Sequence, residues 1–183
     1  MAAKAVQRVG SGPGSAWWVT HTPDGPASLQ LTTHDSRIRG EAWGPGAGWV
    51  LDRLPALCGA GDAPERFQPP PGLVARLHRR SPGLRLGASG RVFETLLPVI
   101  LGQRVTSVEA RRSYRKLVGA YGTPAPGPID AVVPPPAGVL AGVSYADLHP
   151  LGVERARAQI IIEAARRAER LEETVAMDRD AAA

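Results

Sequence analysis

Apolar and polar positions alternate along the first quarter of the chain and then change period. Trp17 to His21 is a short aromatic run, Ser28 to Thr33 alternates around Leu29 and Leu31, and Arg37 to Trp43 carries Ile38 and Trp43 among polar residues. Turn residues separate these runs, first Pro23-Asp24-Gly25-Pro26 and then His34-Asp35-Ser36. A period near two broken by such residues predicts an antiparallel hairpin or meander. Trp49, Val50, Leu54 and Leu57 are spaced for one helical face, so a short helix is expected over Trp49 to Leu57. Cys58 to Pro71 reads as a loop. Pro71 suits the first turn of a helix running to about Arg80.

The second half has the helical period. Phe93, Leu96, Leu97, Ile100 and Leu101 form one face of a helix that Ser89 is placed to cap, with Pro98 inside it at the cost of a hydrogen bond. Thr106-Ser107-Val108-Glu109 has the pattern of a capping box. The helix after it presents Ala110, Ser113, Tyr114, Leu117, Val118 and Tyr121 on one face, and Gly122 is placed to end it. Thr123 to Pro136 reads as a proline-rich connection outside the core. Ser144 to Leu148 is a short helical turn. Val153 to Leu171 is one long helix with Ala156, Ile160, Ala164, Arg167 and Leu171 on its stripe, and Asp178-Arg179-Asp180 opens another. The predicted class is α+β: a flexible segment over residues 1–15, a mixed domain over 16–81 with a small antiparallel sheet, and an all-α part over 82–183.

Charge sharpens the picture only through its distribution. Of a net +5, residues 76 to 116 hold ten arginines and lysines against Glu94 and Glu109, so the rest of the chain is acidic. A concentrated basic segment suits phosphate binding, although an arginine-rich helix is also simply well solvated. No apolar run reaches membrane-spanning length, and the start lacks the apolar core of a secretory signal. A single cysteine, Cys58, forms no internal disulfide, which fits a reducing cytoplasm. His21, His34, His78 and His149 are scattered without metal-ligand spacing, and His149, Cys58 and Asp147 have no catalytic motif around them. Gly10-Ser11-Gly12-Pro13-Gly14 lacks the Lys-Ser/Thr ending of a phosphate loop, so no cofactor or metal is expected. Trp17, Trp18, Trp43 and Trp49 fit core packing, with a base-binding cleft as the alternative.

One corner concentrates the candidate chemistry. Leu101-Gly102-Gln103-Arg104-Val105-Thr106 joins two amphipathic helices with almost no loop. Gly102 permits a tight turn or a close approach, Gln103 and Arg104 project, and the helix N-terminus at Thr106 and Ser107 offers free N–H groups to an anion. The residues alone fit both a nucleic-acid contact and an ordinary helix–helix turn.

Pro82-Gly83-Leu84-Arg85-Leu86, Phe93-Glu94 and Ile100-Leu101-Gly102-Gln103-Arg104-Val105-Thr106, followed by Leu148-His149-Pro150-Leu151-Gly152-Val153 with Arg155, Ala156 and Ile160, resemble the bacterial 3-methyladenine DNA glycosylase II family. Thr22-Pro23-Asp24-Gly25-Pro26-Ala27 and its strands fit the mixed N-terminal domain of that helix-hairpin-helix superfamily more loosely. The resemblance implies base excision repair of alkylated bases: duplex DNA bound through the minor groove, bent, with the damaged nucleotide flipped into a pocket. It makes Arg104 the wedge that fills the gap, Gln103 a neighbouring groove contact, and Gly102, Val105, Thr106 and Ser107 the rest of the DNA-binding corner. The family's glycine-rich hairpin and catalytic aspartate have no counterpart, since no glycine follows Gly152 and the carboxylates after it fit solvated helix faces or a helix cap. No catalytic residue is carried over. The expectation is an incomplete helical glycosylase domain, a fragment without catalysis alone, with a non-enzymatic DNA- or partner-binding module as the alternative. Its Phe93/Ile100 and Ile160/Ala164 faces are expected to be left exposed, favouring self-association or a second chain.

Overall fold

The computed structural model describes residues 14–35 and 37–177. The expected segments before Gly14 and after Met177, including the helix opening at Asp178, lie outside the described residues. The described residues form two compact units, one of those up to Leu51 together with those from Arg91 onward, and the other of residues 52–90. Together the elements make an α+β protein, a small antiparallel sheet followed by helices.

In the first unit, β1 (Ser15–Thr22), β2 (Gly25–His34) and β3 (Arg37–Trp43) form an antiparallel meander in the order β1-β2-β3. Thr22 faces Gly25, so the first turn is only Pro23-Asp24, and Gly25 and Pro26 already lie in β2. Trp18, Val19, Ala27 and Leu29 are buried, and Trp17 stacks on Trp43 with ring centroids 5.2 Å apart. Core packing therefore accounts for these tryptophans.

The helix expected over Trp49 to Leu57 is two helices, α1 (Ala47–Asp52) and α2 (Leu54–Leu57), because Pro55 restarts the helix as a first-turn residue. In the second unit, α3 (Leu73–Arg80) starts two residues later than expected, since Gly72 adopts φ 143°, outside the helical region. Arg85 donates to the Asp62 carbonyl at 2.7 Å, and the Asp62 carboxylate accepts from the Leu86 N–H at 2.7 Å, closing the loop that follows α3 back onto the one before it.

The helical core belongs to the first unit. It comprises α4 (Val92–Leu101), α5 (Ser107–Tyr121), α6 (Ala137–Ala141), α7 (Tyr145–Leu148), α8 (Arg155–Arg166) and α9 (Ala168–Glu173). Phe93, Leu97, Ile100, Leu101, Leu117, Leu140, Leu148, Val153, Ala158 and Ile161 are buried together. The exposed face expected at Phe93 and Ile100 is thus filled, by α5, α8 and α9. The cap of α4 is not Ser89. Arg91 holds the N-cap position but its side chain makes no capping bond, and Glu172 of α9 accepts from the N–H groups of Val92 and Phe93 at 2.9 and 3.1 Å. A carboxylate there meets both the free N–H groups and the positive end of the helix dipole.

The proline-rich connection is part of the core. Two short strands, β4 (Thr123–Pro124) and β5 (Val132–Val133), pair across it and bury Val133. Gly122 ends α5 as expected, but its φ of −79° is ordinary. A Cβ there would lie 2.5 Å from the Val118 carbonyl, Val132 Cγ1 and the Val133 carbonyl, so close approach is what demands glycine. The long helix expected to Leu171 breaks at Arg167, and its buried stripe is Arg157, Ala158, Ile161 and Ala165. The expected stripe of Ala156, Ile160 and Ala164 lies about a hundred degrees round the helix. It lines an open groove of about 550 Å³ with Leu96 and Leu171.

Candidate nucleic-acid interface

The α4–α5 corner is tight because the bonds on either side of it leave little slack. Gly102 continues the right-handed turn at φ −83°, its N–H donating to the Pro98 carbonyl at 3.0 Å, and the Gln103 N–H donates to Ile100 at 3.1 Å. A Cβ on Gly102 would make only ordinary contacts, 3.4 Å from the Pro98 carbonyl, so the chain reversal does not depend on this glycine. The reversal occurs at Arg104, whose φ is +58°. A left-handed conformation at a residue other than glycine costs about 1–2 kcal/mol and is held only where the surroundings fix it. Gln103 and Arg104 are exposed, and neither side chain has a hydrogen-bond or ion-pair partner among the described residues.

Both sides of the turn are anchored. Thr106 closes a capping box: its N–H and hydroxyl donate to the Glu109 carboxylate at 2.9 and 2.7 Å, and its hydroxyl oxygen accepts from the Glu109 N–H at 3.3 Å. These bonds hold the Glu109 carboxyl below its usual pKa. The box leaves the N–H groups of Ser107 and Val108 with no partner from the helix itself, pointing out of its positive end. Below the corner, Leu101 is buried and its carbonyl accepts from Arg157 Nη1 at 2.9 Å. Arg157 is itself buried, with Glu154 3.7 Å from its Nε.

A second tie joins α5 to the turn before α8. Ser113 Oγ donates to the Gly152 carbonyl at 3.1 Å, and Lys116 Nζ to the Pro150 carbonyl at 3.3 Å. Gly152 sits at φ +87°, where a side chain is disfavoured and a Cβ would also meet Ser113 Oγ at 2.9 Å. The structure therefore brings Gly102, Gln103, Arg104, Val105, Thr106 and Ser107 into one corner. Val105 is half-buried and the other five are exposed. What results is a polar, cationic tip on a base that cannot easily shift.

At the opposite end of α4 from the corner lies a polar cluster that patterning does not pick out. Thr20 Oγ1 donates to Glu94 Oε2 at 2.6 Å, linking β1 to α4. Burial pushes the Glu94 carboxyl up to about 7, against the opposing pull of Thr20, Trp18, Arg91 and the His21 backbone. Burial and then Arg91 hold His21 below its usual pKa, while burial and then Glu94 raise Tyr114. The only trace in sequence is a carboxylate in an otherwise apolar stretch of helix, next to Phe93 and one turn from Leu97. No group of three or more His, Cys, Asp or Glu residues suited to a metal occurs among the described residues, and no described helix is long and apolar enough to cross a membrane.

Comparison with solved structures decides the fold. The chain superimposes on the 3-methyladenine DNA glycosylase of Archaeoglobus fulgidus with a TM-score of 0.66 and 20% identity, over 88% of this chain and 58% of that one. Over the aligned residues it shares the fold of that enzyme. MBOgg1 in complex with a low-affinity DNA ligand matches at a TM-score of 0.56 and 14% identity, over 98% of this chain and 62% of that one. The apo 8-oxoguanine glycosylase/lyase of Clostridium acetobutylicum matches at 0.56 and 10% identity, over 95% and 72%. The resemblance read from the Ile100–Thr106 segment is thus supported at the level of the fold. The chain spans about six-tenths of the first two glycosylases. No family model and no curated protein matches the sequence.

Proposed function

We propose that this chain is the DNA-engaging part of a base-excision repair glycosylase of the alkylated-base class. It binds duplex DNA through the minor groove with the α4–α5 corner. Arg104 fills the space left by an extruded nucleotide, stacking its guanidinium on neighbouring bases, and Gln103 contacts the groove beside it. The N–H groups at the start of α5 take a phosphate. One observation carries this reading: Arg104 is held in a costly left-handed conformation, exposed and unpartnered, on a turn pinned by the buried Arg157. An ordinary helix–helix turn has no reason to keep an arginine there when glycine would be strain-free.

The chain binds without excising. The carboxylates bonded within the α8–α9 region each have a partner within the fold. Glu154 lies beside Arg157, Glu163 pairs with Arg167 at 2.6 Å, and Glu172 sits on the N-terminus of α4. Glu169 and Glu173 are exposed on α9. That arrangement equally suits a non-enzymatic DNA-binding module on the same scaffold. The groove at Ile160 and Ala164 is the face through which a second copy or another chain adds to it, Ile160 being 44% exposed.

The test is affinity for duplexes with and without an abasic-site analogue, measured against salt. Binding that weakens steeply with salt and prefers the analogue supports the reading. Release of alkylated purines above background would overturn the claim that this chain is inactive alone.

A further inference from the structure

Helix α5 carries more positive charge than its fold requires. Arg111, Arg112, Arg115 and Lys116 are all exposed, on the side opposite the buried Ser113, Leu117 and Val118. Lys116 reaches the Pro150 carbonyl, and Arg111 Nη2 donates to Ser107 Oγ at 3.5 Å. Arg112 and Arg115 have no hydrogen bond or ion pair among the described residues. The one carboxylate on the helix, Glu109, is engaged with Thr106.

Helix stability does not explain the arrangement. Arg111 with Arg115, and Arg112 with Lys116, are like charges at i,i+4, which destabilise a helix. None of the four lies in the last turn, where a cation would gain from the dipole. The charges are continuous with the corner, because the Arg111 guanidinium sits on the first turn of α5, immediately after Thr106. From Arg111 to Arg115 the axis rises about 6 Å. That is close to two phosphates of one DNA strand, at about 3.4 Å of duplex axis each.

We infer that Arg111, Arg112 and Arg115 form a phosphate-tracking ridge that holds one DNA strand beside the Arg104 tip, an inference that rests on the DNA-binding reading above. The ridge contributes affinity and orientation but no discrimination between damaged and intact sites, because phosphates carry no base information.

The experiment compares three proteins: the wild type, a triple variant (Arg111→Gln, Arg112→Gln, Arg115→Gln), and a charge-matched control (Arg37→Gln, Arg39→Gln, Arg170→Gln) drawn from exposed positions on β3 and α9. Affinity for intact duplex and for duplex with an abasic-site analogue is measured across salt concentration, and circular dichroism checks that the helices persist. The expected result is a fall of about 2 to 3 in the slope of log affinity against log salt for the ridge variant, at about 0.9 per phosphate contact. Its preference for the analogue stays unchanged, and the control keeps most of the wild-type slope. A wild-type slope retained by the ridge variant, or lost equally by the control, would overturn the ridge alone. Failure of the wild type to bind either duplex would overturn the DNA reading and the ridge with it.

Discussion

The Glu94 carboxyl makes the stability of the first unit depend on pH in a direction opposite to that of most carboxylates. It is pushed up to about 7 from an ordinary value of 4.5. Below pH 4.5 both folded and unfolded chains hold the proton, and this group contributes no pH dependence. Between 4.5 and about 7 the unfolded chain releases the proton while the folded chain keeps it, so stability falls as pH rises. Above 7 both are ionised and the loss is complete. At 1.36 kcal/mol per unit the loss is on the order of 3 kcal/mol. Glu94→Gln stays neutral and keeps an oxygen to accept from Thr20 Oγ1. The variant is therefore expected to gain stability relative to wild type as pH rises from 4.5 to 8, by roughly 3 kcal/mol. His21, held low by burial and Arg91, acts the other way below about pH 6.5 but is common to both proteins. Arg91, Trp18 and Tyr114, which also face the carboxyl, are likewise unchanged. Urea titrations followed by tryptophan fluorescence report this unit, because all four tryptophans lie at or before Trp49. A stability difference between variant and wild type that stays flat across that range would rule out a carboxyl raised by burial.

Other substitutions test the corner and its supports. Arg104→Gly relieves the left-handed strain, so the urea midpoint should hold or rise by up to about 1 kcal/mol in stability while DNA affinity falls. A clear loss of stability would contradict the turn. Arg157→Met leaves the buried Leu101 carbonyl without its donor, with an expected cost of about 1–3 kcal/mol in urea unfolding. Hydrogen exchange of the Gln103 N–H should rise in step. Gly122→Ala forces a Cβ against two carbonyls and Val132, and should cost about 1–3 kcal/mol by the same assay. Ile160→Glu, at an exposed position, should leave stability within about 0.5 kcal/mol while shifting any self-associated species toward monomer in sedimentation.

Local patterns with a strong physical period are legible in the sequence. The three strands follow from alternation and turn residues, and the Thr106/Glu109 box from four consecutive residues whose bonds are local. Features set by distant partners are not. The cap on α4 comes from Glu172, seventy-nine residues from Phe93, so the nearby Ser89 stands out locally yet does not cap the helix. The buried stripe of α8 escapes the pattern because Arg157 occupies an inward position, and a periodicity of apolar residues skips an arginine. The proline-rich link reads as loop because nothing local announces that Val133 packs behind α5. At the corner, the six residues alone fit both a DNA contact and an ordinary helix–helix turn, and the resemblance carried by the flanking motifs is what favours the DNA contact. Only the backbone reveals that the strained residue is Arg104 rather than Gly102.

The role of Arg104 at the tip of the corner is tested most directly by DNA affinity. Wild type and Arg104→Ala are each titrated with a duplex holding an abasic-site analogue and with an intact duplex, across salt concentration. The expected result is affinity that falls steeply with salt, a wild-type preference for the analogue, and loss of that preference in the variant with most of the salt slope retained. A flat salt dependence, or an Arg104→Ala protein that discriminates as well as wild type, would contradict a DNA-probing role for this corner.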